Sequence, residues 1–252
     1  MKRVLLLAFL VAALASAGCG KKERQGEGKL RIAGASNLVF VMKDLIRAFE
    51  EETGAEVDFI PGSSGKLSAQ IREGAPFDLF LSADVGFVDD AIDAKACAPE
   101  SRHIYARGKL VLWTRDGATL PADLAALAGG GIDKVAIAQP AHAPYGKAAV
   151  QALEKIGVWK QVEPRALYGS NVEDTYKLAS TGNADVAIIP LSLAQVSKGK
   201  HTPIPTELHA PIEQAMAVCL SGNRRDLAEK FAELVKSPAG RALFEKHGYE
   251  VP

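Results

Sequence analysis

The chain has 252 residues, with 30 basic and 30 acidic side chains and so no formal net charge at neutral pH. That balance, without any block of like charge, argues against nucleic acid as a partner, because neutralising phosphates needs a basic face. The three cysteines and five histidines show neither Cys-x-x-Cys nor His-x-x-x-His spacing, so no cation site is expected.

Lys2 and Arg3, the apolar run Val4 to Leu14 and the small residues Ala15-Ser16-Ala17-Gly18 have the form of a secretory signal over residues 1–18. The run is too short to span a bilayer. Cys19 stands where bacterial lipoproteins carry their lipid, which would hold the exported protein on a membrane. Cleavage after Ala17, releasing a soluble protein, is the competing expectation, since Ser16 sits where lipid-attachment boxes place an aliphatic residue. Residues 19–28, rich in Lys, Glu, Gln and Gly, then read as a flexible tether.

Leu30 to Ala33 predicts a strand, and Phe40, Val41, Leu45, Ile46 and Phe49 give the helical period of Val39 to Glu52, closed by Gly54. The unit repeats. Strands are expected at Ala55 to Ile60, Asp78 to Ser82, Lys109 to Thr114, Val135 to Ala138, Arg165 to Tyr168 and Ala184 to Ile189. Helices are expected at Lys66 to Arg72, Val85 to Ala96, Pro121 to Ala128, Gly146 to Ile156 and Val172 to Ser180. This alternation is the signature of an α/β protein with mostly parallel strands. Ser101 to Trp113 and the Pro-rich stretch His201 to Gln214 break the beat and bracket the middle third of the chain. They are read as crossings between two domains. Residues 29–110 begin domain I, 111–214 form domain II, and 215–252 return to domain I with the helices Arg224 to Lys236 and Pro238 to His247. In an oxidising compartment Cys97 and Cys219 could pair, but Cys219 lies in the apolar run Ala215 to Leu220, where a free Cys packs as a small hydrophobe, and the free thiol is the favoured expectation.

Four strand-to-helix junctions are rich in Ser, Asn and Gly and almost free of charge: Ala35-Ser36-Asn37, Gly62-Ser63-Ser64-Gly65, Pro144-Tyr145-Gly146 and Gly169-Ser170-Asn171-Val172. Helix starts carry unpaired N–H groups and partial positive charge, so several converging would cage an anion. In open α/β sheets such junctions sit at the ligand-binding end of the strands. Each junction taken alone could be no more than a helix cap. Gly62 to Lys66 is not a nucleotide-binding loop, because Leu67 follows Lys66 where Ser or Thr is required. Ser63 and Lys66 have the Ser-x-x-Lys spacing of acyl-enzymes, but Lys-Thr-Gly and Ser-Asp-Asn are absent. A secreted Ser-Lys hydrolase is therefore the runner-up, and no catalytic residue is assigned. His142 is expected to order its turn by hydrogen bonding to the backbone, and Asp84 to cap the helix that follows it.

These phrases together, with Ala75-Pro76-Phe77-Asp78-Leu79-Phe80, Pro140-Ala141-His142 and the closing Pro238-Ala239-Gly240-Arg241, resemble the periplasmic molybdate-binding proteins of ABC importers from about Lys29 to the C-terminus. The resemblance implies a type II periplasmic binding protein: two Rossmann-like α/β domains joined by hinge strands, closing on a tetrahedral oxyanion. It implies a monomeric, extracytoplasmic carrier of molybdate or tungstate, without cofactor, that serves an importer permease. Sulfate or another tetrahedral oxyanion is the alternative within that class. Ser36 and Ser64 match positions that donate hydroxyl and backbone N–H groups, and Tyr145 and Val172 match positions that donate backbone N–H groups. Asn37 matches a variant in which an Asn adds a donor. Pro190 stands where some members carry a ligand-binding Tyr, and it offers neither hydroxyl nor N–H.

Overall fold

The computed structural model describes residues 28–252. The signal segment, Cys19 and nearly all of the expected tether lie outside the described residues.

Two five-stranded sheets carry the fold. The first has the order β2-β1-β3-β10-β4, made of β1 (Leu30–Ala35), β2 (Val57–Gly62), β3 (Leu79–Ser82), β4 (His103–Gly108) and β10 (Ile212–Val218). The second has the order β7-β6-β8-β5-β9, made of β5 (Leu110–Thr114), β6 (Val135–Ala138), β7 (Ala166–Gly169), β8 (Val186–Pro190) and β9 (Lys200–Pro203). Helices α1 (Val39–Thr53), α2 (Ser64–Arg72) and α3 (Val85–Asp93) follow the first three strands. In the second lobe α4 (Pro144–Lys155), α5 (Trp159–Val162), α6 (Val172–Ser180) and α7 (Leu191–Ala194) play that part, and α8 (Arg225–Lys236) and α9 (Pro238–Lys246) close the chain.

The two sheets share one plan. The chain steps from β1 out to β2 and back across to β3, just as it steps from β6 to β7 and back to β8. Strand order therefore reverses beside β1 and beside β6, and the crevice at the carboxyl end of such a reversal is where open α/β sheets bind ligands. Each sheet is extended by a strand arriving from the other lobe, β10 against β3 and β5 against β8, both antiparallel. The expectation of mostly parallel strands is corrected here: β1, β2 and β3 pair in parallel, as do β6, β7 and β8, but β10 and β5 run antiparallel to both of their neighbours.

Local sequence explains the elements that frame the site. β1 and β8 are buried almost throughout, as expected of strands covered on both faces. Helix α1 buries Val41, Met42, Leu45 and Phe49, each contributing roughly 1.5–3 kcal/mol of apolar transfer, and ends at Gly54, whose φ of 69° is the left-handed conformation glycine tolerates. Phe49 meets Phe231 of α8 edge-on at 5.1 Å, fixing the returning C-terminal helices on the first lobe. The expected helix at Pro121 to Ala128 is corrected: only the 3-10 turn Ala125–Ala128 forms. Eight residues ahead of three consecutive glycines are too few to offset helix nucleation. No helix among the described residues is long and apolar enough to cross a membrane.

Candidate functional site

All four junctions come together. One cavity is lined by Ala35, Ser36 and Asn37 at the end of β1, by Gly62, Ser63 and Ser64 between β2 and α2, and by Ala83 after β3. The second lobe adds Ala143, Pro144 and Tyr145 at the start of α4, and Asn171 and Val172 at the start of α6. The space is small, admitting the centre of a water-sized sphere over about 10 Å³. That suits a single small ion and excludes a sugar or a peptide. Ser36, Asn37, Ser64, Tyr145 and Val172, the five residues singled out from sequence, all line it.

The lining has donors but no carboxylate and no cationic side chain. Ser64 and Val172 are the first residues of α2 and α6, so their amides have no acceptor within the helix. Pro144 opens α4 without an N–H, which makes the amide of Tyr145 the first donor of that helix. Ser36 and Asn37 lie in the 3-10 turn Ser36–Leu38, with amides equally free. The Ser64 hydroxyl oxygen accepts from the Ala83 N–H at 2.9 Å, which orients it and leaves its proton available. Asn171 caps α6 with its side chain, accepting from the Asp174 N–H at 2.9 Å.

Behind the cavity a buried polar network ties the lobes at the hinge. The Asn37 amide nitrogen donates to Gln214 Oε1 and to the Tyr249 hydroxyl, both at 2.9 Å. Gln214 Nε2 donates to the Tyr145 hydroxyl at 3.1 Å, and Tyr105 donates to Gln214 Oε1 at 3.2 Å. The hydroxyls of Tyr249 and Ser192 both donate to the Asn37 carbonyl, at 2.7 and 3.1 Å. Burial holds the Tyr105, Tyr145 and Tyr249 phenols well above their usual range, so none places a negative charge beside the cavity. Sequence reasoning missed Gln214, Tyr249, Tyr105 and Ser192. The one available signal was a glutamine heading the apolar run of β10, where it is fully buried.

Three expectations change. The Asn37 side chain spends both amide hydrogens on Gln214 and Tyr249, and its Oδ1 is buried without a donor, so its side-chain N–H groups are not free for a ligand. The His142 ring does not order its turn, since Nδ1 has no partner; its backbone does, with N donating to Gln139 O and O accepting from the Gly65 N–H at 3.0 Å across the cleft. The Ser63 hydroxyl is buried without a partner and Lys66 is exposed, so the pairing an acyl-enzyme requires is not assembled. One smaller expectation holds, in that Asp84 caps α3 by accepting from the Gly86 N–H at 2.7 Å; Pro190 ends β8 and immediately precedes α7. Burial, and after it the nearby Lys66, push the His142 imidazole below its usual value. No cluster of His, Cys, Asp and Glu able to hold a metal cation occurs among the described residues.

Residues 30–250 match the family model described as bacterial extracellular solute-binding protein. The chain is 34% identical over 223 residues to the molybdate-binding protein ModA of Rhodobacter capsulatus, covering 88% of each chain. It is 30% identical over 263 residues to ModA of Escherichia coli, covering both chains completely. Among solved structures, the periplasmic molybdate-binding protein of Azotobacter vinelandii superposes with a TM-score of 0.83 at 31% identity, covering 89% of this chain and 100% of that one. Each of these three relatives is named as a molybdate-binding protein.

Proposed function

The chain belongs to the bacterial extracellular solute-binding protein family, and on that premise we propose that it captures molybdate or tungstate outside the cytoplasm and delivers the ion to an ABC importer. The observation that carries this reading is the convergence of helix starts from both lobes on one small cage without a charged side chain. A fully deprotonated tetrahedral oxyanion is acceptor-only, and hydroxyls with free amides satisfy it where a carboxylate would repel it. In this proposal Ser36 and Ser64 donate from hydroxyl and backbone, and Tyr145 and Val172 donate backbone N–H groups. Asn37 contributes its backbone N–H and, through its engaged side chain, links the ion to the hinge. Hydrogen bonds to a charged group contribute roughly 1.5–3 kcal/mol each, so half a dozen offset dehydration of the ion.

The mechanism is hinge closure, with residues 29–110 and 215–252 as one jaw and 111–214 as the other. The ion favours the closed form because only there do donors from both jaws reach it, and the permease reads that form. Cys19 serves as the lipid anchor, which the intact mass of the exported protein checks.

One observation favours a second reading, a singly protonated oxyanion such as hydrogen phosphate: Asn37 Oδ1 is a buried acceptor still without a donor. A calorimetric and thermal-shift panel of molybdate, tungstate, sulfate and phosphate decides between the two. Molybdate and tungstate should each raise the melting temperature, with roughly 2.7 kcal/mol of stabilisation at 100 times the dissociation constant. Shifts with sulfate or phosphate and none with molybdate would overturn the assignment.

A further inference from the structure

We propose that Cys97 and Cys219 are joined in the exported protein as a cross-strand disulfide that staples the first lobe. The two residues face each other in an isolated antiparallel bridge. On either side of them the Ala98 N–H donates to Val218 O and the Leu220 N–H donates to Ala96 O, both at 2.8 Å. Cys97 and Cys219 are therefore a directly opposed pair that exchanges no backbone bond with one another, the arrangement in which facing Cα atoms come to about 4.5 Å. Disulfides require Cα separations of about 4.4–6.8 Å, a range that pairs of this type fall within. Both side chains are buried, and their sulfurs lie 3.5 Å apart.

The pair lies away from the ion cavity. The Cys219 N–H bonds to Asp78 O, just before β3 begins, whereas the cavity residue Ala83 follows the other end of that strand. The bond would tie the end of β10 to the segment after α3 and close a loop between residues 122 positions apart. It constrains the unfolded chain without touching the ligand.

Formation is an exchange reaction. The two thiols lose two protons and two electrons, one S–S bond forms, and a disulfide-bearing thiol oxidoreductase of the extracytoplasmic compartment is reduced to its dithiol through a mixed disulfide. The hydrogen bond from Cys97 and burial hold the Cys219 thiol well above its usual range, which makes it a poor nucleophile once folded. Both side chains are enclosed in the folded lobe, out of reach of an oxidoreductase, so oxidation belongs to the assembly of the lobe after export.

The test uses the full chain exported in its own compartment and quenched in acid before lysis. It is then alkylated under denaturing conditions without reductant and mapped by mass spectrometry. Peptides carrying Cys97 and Cys219 should appear linked, two hydrogens lighter than their sum, and alkylation at both positions would overturn the proposal. Linkage found only in samples lysed without the acid quench would also overturn it, as oxidation during handling. Reduction should lower the melting temperature by roughly 10 °C, and should leave the Cys97→Ala, Cys219→Ala double variant unmoved. A wild-type melting temperature indifferent to reductant would refute the stapling role.

Discussion

Gly65→Ala separates closure from folding. Gly65 is the second residue of α2, and its N–H bonds to His142 O of the opposite lobe at 3.0 Å. A Cβ there would lie 2.9 Å from Phe87 Cζ, 2.9 Å from His142 Cβ and 3.0 Å from His142 Cα. Carbon contacts are optimal at about 3.5–4.0 Å, so the methyl must move something. The Phe87 ring can swing. The His142 backbone cannot retreat within its own lobe, because His142 N and Ala143 N are both held by Gln139 O, so relief requires the lobes to part. Overpacking of this kind costs about 1–3 kcal/mol, which weakens ion affinity roughly 5- to 150-fold. The same substitution relieves glycine's entropy in a helix by up to about 1 kcal/mol, so the ligand-free melting temperature should hold or rise by about 2–4 °C. Calorimetric titration with molybdate and a melting curve without it read the two effects, which have opposite signs. Wild-type affinity in this variant would mean that the bound state does not bring Gly65 against His142, and the closure reading would fail. Loss of affinity together with loss of ligand-free stability would mean ordinary misfolding.

Ser64→Ala removes the hydroxyl assigned to the ion and strips the Ala83 N–H of its acceptor; we expect a roughly 10- to 100-fold weaker molybdate dissociation constant by calorimetry. At Gly108 a Cβ would lie 2.0 Å from the Tyr145 hydroxyl and 2.7 Å from its Cζ, so Gly108→Ala must expel that ring from the hinge network. A cost of about 2–4 kcal/mol in denaturant unfolding and loss of measurable molybdate binding are expected. Asp44 of α1 accepts from His247 Nε2 at 3.0 Å and Lys246 Nζ at 3.1 Å, and these bonds, His247 first, lower its pKa to about 2. A carboxyl depressed on folding contributes stability above its unfolded value near 3.8 and loses it as pH falls through the folded value. Asp44→Asn should therefore cost about 1–2 kcal/mol at pH 7, and in pH-resolved melting curves the two proteins should converge between pH 4 and about 2.

What could be read from sequence, and what could not, divides by the range of the interactions involved. The four junctions were legible because their chemistry is local: a strand that must turn into a helix within a few residues displays Ser, Asn, Gly or Pro at the turn whatever surrounds it. Their convergence followed from strand reversal in α/β sheets, itself a consequence of alternating elements. Strand direction was not legible at β10 and β5, because an apolar run reads alike in either direction and only pairing against β3 and β8 fixes it. The hinge network shows the limit most clearly. Asn37 finds Gln214 and Tyr249 at separations of 177 and 212 residues, so nothing near Asn37 in the chain announces that its amide hydrogens are already engaged. Donor counting from sequence credits every polar lining side chain to the ligand, whereas a closing hinge needs some of them to hold the jaws. A side chain that lines the cage while bonded behind it couples the two tasks, because turning the Asn37 amide toward the ion would cost its two buried bonds to Gln214 and Tyr249. In this chain one residue, Asn37, both lines the cage and bonds to Gln214 and Tyr249 behind it.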